Sequence, residues 1–306
     1  MFNTKRILCP TDLSQESDEA LRYAVTLARS YEARLLILYC TDIKSDGPRE
    51  SRNRSLDIAF MFEQALIDDL KLDELAGLNW EAIAIDNVEN VGESIVHQAA
   101  AHNADLIVLR SRRRPYAAVL IGSTAETVSR TASCPVLITH PVEREWVGLS
   151  TGEINLHRVL VAHDFSSDSE LALNAGLSLA QEYRADIHLL HVITEKEEEE
   201  PEVAWSRVGL QSLYKTAAHR LQRAVPKEVF LWCNFVNAVR CGRPADEILA
   251  YAKEHEIDLI CMGASGAGFT LGKVFGSTVD RVLRHAPCPV FVARPFKPAT
   301  ASAKAA

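Results

Sequence analysis

The segment with most chemical potential runs Met262-Gly263-Ala264-Ser265-Gly266-Ala267-Gly268-Phe269-Thr270-Leu271-Gly272-Lys273-Val274-Phe275-Gly276-Ser277-Thr278. It follows an apolar, strand-like run and leads into a helix expected to begin near Ser277. Glycine tolerates positive φ and has no side chain, so backbone N–H groups can close on an anion. A helix N-terminus adds unpaired amides and a partial positive charge, which suit phosphate oxygens. Ser277 and Thr278 bring hydroxyl donors, or a cap for the helix. Glycine density alone leaves a plain surface turn as an equal alternative.

Two familiar phosphate motifs are excluded. A Walker A loop needs glycine five residues before Gly272, where Ala267 stands, and Ser or Thr after Lys273, where Val274 stands. The dinucleotide fingerprint fails because the segment follows a fourth strand and lacks the third glycine spacing. Metal and nucleophile chemistry find no footing either. His188 and His191 lie three apart in a strand and point to opposite faces, while His97 and His102 are five apart on a helix. No Ser-His-Asp, Cys-His or paired-carboxylate set emerges from the spacing. The Glu195–Glu200 run, broken by Lys196, reads as a solvated loop.

The elements that must position the glycine loop occur twice. Arg6-Ile7-Leu8-Cys9-Pro10-Thr11-Asp12-Leu13-Ser14 matches Arg158-Val159-Leu160-Val161-Ala162-His163-Asp164-Phe165-Ser166, an offset of 164 − 12 = 152. Ala33–Cys40 matches Ala185–Val192 at the same offset, and Asp105 matches Asp258 at 258 − 105 = 153. Gly122-Ser123-Thr124 and Cys134-Pro135-Val136 recur as Gly276-Ser277-Thr278 and Cys288-Pro289-Val290 at 154. Five ordered blocks with single-residue drift are a duplication.

Each copy alternates strand-like and helix-like runs. In the second, strands are expected at Val159–Ala162, Ile187–Ile193, near Phe230–Val239, Leu259–Met262 and Pro289–Ala293. Helices are expected after Ser167, which has capping-box spacing to Glu170, and over Ser206–Val225 and Ala245–His255. Such alternation gives parallel strands with right-handed helical crossovers, and near-continuous apolar strands imply a sheet covered on both faces. The fold class expected is α/β, two tandem Rossmann-like domains, each a five-stranded parallel sheet flanked by helices. The expected boundaries are 1–142 and 156–295, with a linker at 143–155 marked by Gly148, Ser150 and Gly152, and a tail at 296–306.

Composition narrows the function classes. In 306 residues, 33 Lys and Arg against 41 Asp and Glu give a net charge of −8, which argues against nucleic acid as a partner. The 47% of hydrophobic residues is that of a globular chain with real cores. Seven cysteines without a CxxC pair point to a reducing compartment. The N-terminal residues show no long apolar leader, and no stretch is long enough to span a bilayer; a cytoplasmic location without membrane partners is expected.

Gly263, Gly266, Gly276 and Ser277 together spell Gly-x2-Gly-x9-Gly-Ser, which resembles the signature of ATP-binding universal stress proteins. The resemblance extends over nearly the whole chain. Pro-Thr-Asp-Leu-Ser and Ala-His-Asp-Phe-Ser match the family's first-strand ending, Leu190-His191-Val192 its second, and Cys-Pro-Val precedes both last strands. It implies ATP, ADP or AMP at the C-terminal ends of the strands. Asp164 and Val192 would flank adenine and ribose, with Ala162 and His163 beside them; His163 stands where the family usually has threonine. Met262 and Gly263 would continue that wall, and Gly266, Gly276, Ser277 and Thr278 would receive phosphates. Mg²⁺ would come only through the phosphates. For Asp164 the plainer role is a capping carboxylate near Ser166.

In the first copy Arg110-Ser111-Arg112-Arg113-Arg114-Pro115-Tyr116 replaces Gly263 to Phe269. Bulky side chains stand where backbone would have to approach phosphate, so nucleotide binding of that kind is not expected there. Arg110, Arg112, Arg113 and Arg114 form a candidate loop for an anion or acidic partner, against the plainer reading of a solvated basic loop. The expected function is a stress-response sensor or regulator holding one adenine nucleotide in its second domain, not an enzyme. A slow ATPase, or an interaction scaffold with a non-nucleotide ligand in the first domain, are the alternatives. The resemblance also implies that the two domains pair within the chain, through Val136–Ile138 and Val290–Val292, with a homodimer of such chains a further candidate.

Overall fold

A computed structural model describes residues 4–42, 75–111, 121–140, 144–148, 153–194, 207–266 and 275–296. Arg112, Arg113, Arg114, the Glu195–Glu200 run, Gly152 and the tail beyond Phe296 lie outside them, as does the middle of the glycine loop. In the first copy the described elements are β1 (Arg6–Thr11), α1 (Gln15–Ser30), β2 (Arg34–Asp42), β3 (Trp80–Val88), α2 (Val91–Ala101), β4 (Leu106–Arg110), α3 (Ser123–Thr131) and β5 (Val136–Thr139). The second copy has β6 (Arg158–Ala162), α4 (Ser167–Tyr183), β7 (Asp186–Ile193), α5 (Arg207–Ala224), β8 (Phe235–Cys241), α6 (Pro244–Glu254), β9 (Leu259–Gly263), α7 (Ser277–His285) and β10 (Val290–Ala293), repeating the first copy's order with α5 added among the described elements.

All ten described strands form one sheet in the order β3-β2-β1-β4-β5-β10-β9-β6-β7-β8. Each half is a parallel, Rossmann-like 3-2-1-4-5 arrangement, as the alternation of apolar runs demands. The halves meet antiparallel at their last strands, Val290 opposite Ile138, Phe291 opposite Leu137 and Val292 opposite Val136. Those are the segments expected from sequence to dock. Pairing them removes two exposed edges, each of which would otherwise present unpaired N–H and C=O groups.

Strands β1, β4, β6 and β9 are buried on both faces, and the core divides into one layer above the sheet and one below. One layer lies under α1 and α4 and includes Trp146, only 1% exposed, from the segment joining the copies. The backbone N–H of Trp146 donates to the Tyr23 hydroxyl at 3.1 Å and the indole ring stands edge-on to Tyr23, with Tyr183 of the other copy 6.5 Å away. One aromatic residue thus packs on both copies, a burial contributing on the order of 2–3 kcal/mol.

Two local expectations are corrected. The strand expected near Phe230–Val239 starts late, because Lys227–Leu231 is a 3-10 helix behind Pro226, with only Val229 buried. Leu231 is 85% exposed, so hydrophobicity here does not report sheet burial; β8 begins at Phe235. Helix α4 starts one residue earlier than a capping box would place it. Ser166 is its N-cap, accepting from the Ser169 N–H, which makes Ser167 the first helical residue and removes Glu170 from the capping position.

Candidate functional site

Parallel strands bring all their C-terminal ends to one edge of the sheet, and in the second copy that edge opens into a cavity of about 450 Å³. Ala162, His163 and Asp164 enter it from the end of β6, Val192 from β7, Met262 and Gly263 from β9, and Gly266 from the loop beyond. Gly276, Ser277 and Thr278 complete it at the start of α7. All ten residues singled out in the second copy therefore line one space. The sequence reading missed Leu190, Thr194, Pro244 and Ile248, which also line it. Gly242-Arg243-Pro244 was a readable sign, because a helix that starts just past a parallel strand must begin over this edge. A separate, solvent-open depression of about 550 Å³ near Lys5, Arg34 and Phe296 shares none of these residues.

The loop leaving β6 is built by Asp164. Its Oδ1 accepts from the Ser166 N–H at 3.1 Å and from the Ser166 hydroxyl at 2.5 Å, an Asx turn that sets up the N-cap of α4. Asp12 does the same for Ser14 in the first copy. The capping role foreseen for Asp164 is therefore real, but only one oxygen performs it. The other lies under Gly266, where a Cβ would come within 2.6 Å of it. A side chain at Gly266 would have to displace that carboxylate.

Asp168, in the first turn of α4, accepts from the Ser265 N–H at 3.2 Å and from its hydroxyl at 2.5 Å. This ties the outgoing limb of the glycine loop to the helix. Gly263 lets the strand approach so closely: a Cβ there would stand 2.7 Å from the Asp168 carbonyl carbon and 2.9 Å from the Ser169 nitrogen. Backbone cannot yield as a flexible side chain does. Packing alone thus requires glycine at position 263.

His163 occupies the position of Thr11 and copies its hydrogen bond. The Phe165 N–H donates to His163 Nδ1 at 3.1 Å, as the Leu13 N–H donates to Thr11 Oγ1 at 3.1 Å. Phe165 and Leu13 share φ near +60°, so each loop holds a strained residue by the same device. An accepting Nδ1 places the proton on Nε2, which is buried without a hydrogen-bond partner among the described residues. Burial pushes the His163 pKa down to about 4, and the nearby His191 and Arg220 act in the same direction. The imidazole is neutral at pH 7. Phe165 packs between the His163 and His191 rings, and the Arg220 guanidinium lies 3.7 Å from its centroid.

The far end of the cavity is the N-terminus of α7. Its N-cap is Gly276, which offers no side-chain acceptor, whereas Ser14 and Ser166 cap α1 and α4. Neither Ser277 nor Thr278 serves as the cap. The first amides of α7 consequently keep their donor capacity toward the cavity mouth. Gly276 also has an ordinary φ of −68°, and a Cβ there would meet Val279 at 3.6 Å and Ala264 at 3.8 Å, normal contact distances. Neither its φ nor its contacts call for glycine at this position, although glycine is a better N-cap than most side chains.

The first copy diverges at the equivalent point. Arg110 pairs with Thr139 as Gly263 pairs with Ala293, so the two positions correspond in the sheet. The Arg110 side chain is 7% exposed and ion-paired to Glu19 of α1. It points into the protein; the other three arginines of that segment are outside the described residues. Among the described residues, no group of three His, Cys, Asp or Glu could hold a metal ion, and no helix is long and apolar enough to cross a membrane. His188 and His191 do face opposite ways: the first meets the Tyr251 hydroxyl at 2.9 Å, the second donates to the His163 carbonyl at 2.8 Å. None of the seven cysteines forms a disulfide, and burial holds the Cys9 and Cys261 thiols far above their ordinary range.

Comparison with known proteins agrees with the duplication. The sequence model of the universal stress protein family matches twice, over residues 3–140 and 155–294. Universal stress protein Slr1230 of Synechocystis is 26% identical over 314 residues, spanning 95% of this chain and all of that protein. Universal stress protein YxiE of Bacillus subtilis is 29% identical over 154 residues, 45% of this chain but 99% of its own length. A universal stress protein from Archaeoglobus fulgidus has a similar crystal structure, with a TM-score of 0.66, 23% identity, and coverage of 97% of this chain and 100% of that one.

Proposed function

We propose, from the premise that the chain belongs to the universal stress protein family, that its second copy binds ATP or a related adenine nucleotide as a sensor or regulator rather than as a catalyst. Gly276 carries the proposal. Its backbone conformation and surroundings would accept a side chain, so its value lies in letting a ligand approach the amides of α7. The cavity suits the rest of such a ligand. Its volume falls within the range of small-molecule sites, with Val192, Leu190, Ile248 and Met262 giving an apolar wall for a base. Glycine backbone and the Ser277 and Thr278 hydroxyls give a polar end for phosphates, and Mg²⁺ would enter with those phosphates.

Binding is favoured over turnover because the carboxylates nearest the loop have structural tasks. Asp164 holds the Asx turn and Asp168 holds Ser265, so neither is poised to activate a water. Titration of ATP into the wild-type chain and into Gly266→Arg and Gly276→Arg tests the reading. Loss of binding in both variants is expected, and unchanged affinity in both would refute it. Mass spectrometry of the ligand retained through native purification should find an adenine nucleotide at about one per chain.

A further inference from the structure

The two limbs of the glycine loop are held by different copies. Asp168 ties the outgoing limb at Ser265 within the second copy. The returning limb reaches α7 through Phe275, and there the contact comes from the first copy: the Arg130 guanidinium of α3 lies 5.3 Å over the Phe275 ring. Arg130 also bonds Glu126 of its own helix, with Nε–Oε1 3.2 Å, and reaches Asp280 in the first turn of α7 at 3.5 Å. Asp280 is paired more closely with Arg284, at 2.8 and 2.9 Å, and Arg284 approaches Glu126 at 3.8 Å. Two arginines and two carboxylates thus bridge α3 and α7 about the axis relating the copies.

The bridge is symmetric in charge but not in its aromatic contact. Glu126 and Arg130 correspond to Asp280 and Arg284 at the offset of 154, yet Phe275 corresponds to Ile121, which has no ring to offer a cation. The aromatic contact exists only beside the intact glycine loop. Helix α3 is itself fixed to the second copy, because Arg294, just after β10, donates to the Ala132 carbonyl at 2.6 Å and to that of Ser129.

We infer that Arg130 is a positioning residue for the phosphate end of the nucleotide site, so that the second copy's site is complete only with the first copy docked against it. This rests on the nucleotide reading above. Arg130 acts in two ways. Its stacking holds Phe275 and therefore the entry to Gly276. Its charge, with that of Arg284, offsets the Asp280 carboxylate, which would otherwise oppose an anion bound three residues away at Ser277.

The test is calorimetric titration of the full-length chain with ATP and with adenosine, using Arg130→Ala, Arg130→Lys and Arg130→Ala combined with Asp280→Asn. Arg130→Ala should weaken ATP about fivefold, the size expected of a partly exposed cation–π and ion-pair contact, while adenosine changes by less than about twofold. Arg130→Lys should recover part of the loss, and the Asp280→Asn background should suppress most of the remainder. An unchanged ATP affinity in Arg130→Ala would overturn the inference. So would equal losses for ATP and adenosine, which would report general damage to the fold. A wild-type chain that binds neither ligand would refute the nucleotide reading, and the inference with it.

Discussion

His163→Thr isolates one buried proton site whose energetics follow from its geometry. In the wild type the imidazole must stay neutral, because Nδ1 accepts the Phe165 N–H and the ring is 4% exposed. Its pKa falls from 6.5 to about 4 on folding. The unfolded chain therefore binds the proton first on acidification, and stability is lost as pH falls from about 6.5 towards 4. The full penalty below that window is roughly 3 kcal/mol, and at pH 5 it is already about 2 kcal/mol relative to pH 7.5. Threonine supplies the same acceptor, as Thr11 does in the first copy, without a titrating group. The variant's smaller side chain will lower stability by a pH-independent amount, so the slope is the informative quantity. Urea unfolding of both proteins at pH 7.5, 6 and 5 measures it. The wild type should lose about 2 kcal/mol more than the variant between pH 7.5 and 5. Parallel curves would show that His163 does not titrate in this way, and would refute the tautomer deduced from the Phe165 contact.

Other substitutions separate packing from ligand binding. Gly276→Ala should cost no more than about 1 kcal/mol in stability, since a Cβ meets only ordinary contacts and the loss is that of a glycine N-cap, yet should weaken ATP roughly tenfold in titration; equal ATP affinity would remove the main support for the proposed function. Gly263→Ala should behave oppositely in kind, costing about 1–3 kcal/mol in urea unfolding even without nucleotide, because its Cβ meets the α4 backbone. Asp258→Ala leaves the His157 and Arg158 N–H groups, each 2.9 Å from its carboxylate, without their acceptor; a loss of about 2–4 kcal/mol is expected from chemical denaturation, and a loss below 1 kcal/mol would mean that water replaces the carboxylate freely.

Much of this arrangement was legible because duplication prints the same physics twice. Apolar strand runs and the helices between them fixed the parallel halves, and the repeated last strands pointed to the join that β5 and β10 form. The site was legible where a residue type has few other uses, as at Gly263, Gly266 and Gly276. It was less so where chemistry depends on neighbours distant in sequence. The Ser265–Asp168 contact spans 97 residues and the Arg130–Asp280 contact 150, and no local pattern announces either. The early start expected for β8, at Phe230 rather than Phe235, has the opposite cause, since a locally apolar run was taken for buried when Leu231 is almost wholly exposed. Asp164 was ambiguous for a further reason. One carboxylate serves the Asx turn with one oxygen and lies beneath Gly266 with the other, so the capping role does not exclude a second one.

The divergence of the two copies has a physical logic at the paired positions Gly263 and Arg110. At Gly263 the strand end lies against the backbone of α4, and the space beyond is open to the cavity. At Arg110 a long side chain must be housed, and its charge is accommodated inside the protein by Glu19. A buried guanidinium is tolerated only with such a partner, and losing either member would leave an uncompensated charge. The second-copy counterpart of Glu19 is Leu171, at the offset of 152, which could not serve that purpose. Gly263→Arg alone would therefore fail in the second copy, and Arg110→Gly alone would strand Glu19 in the first. Conversion between the two kinds of site needs a coordinated change on a strand and on the facing helix. That coupling explains how the two strand ends can stay different within one sheet.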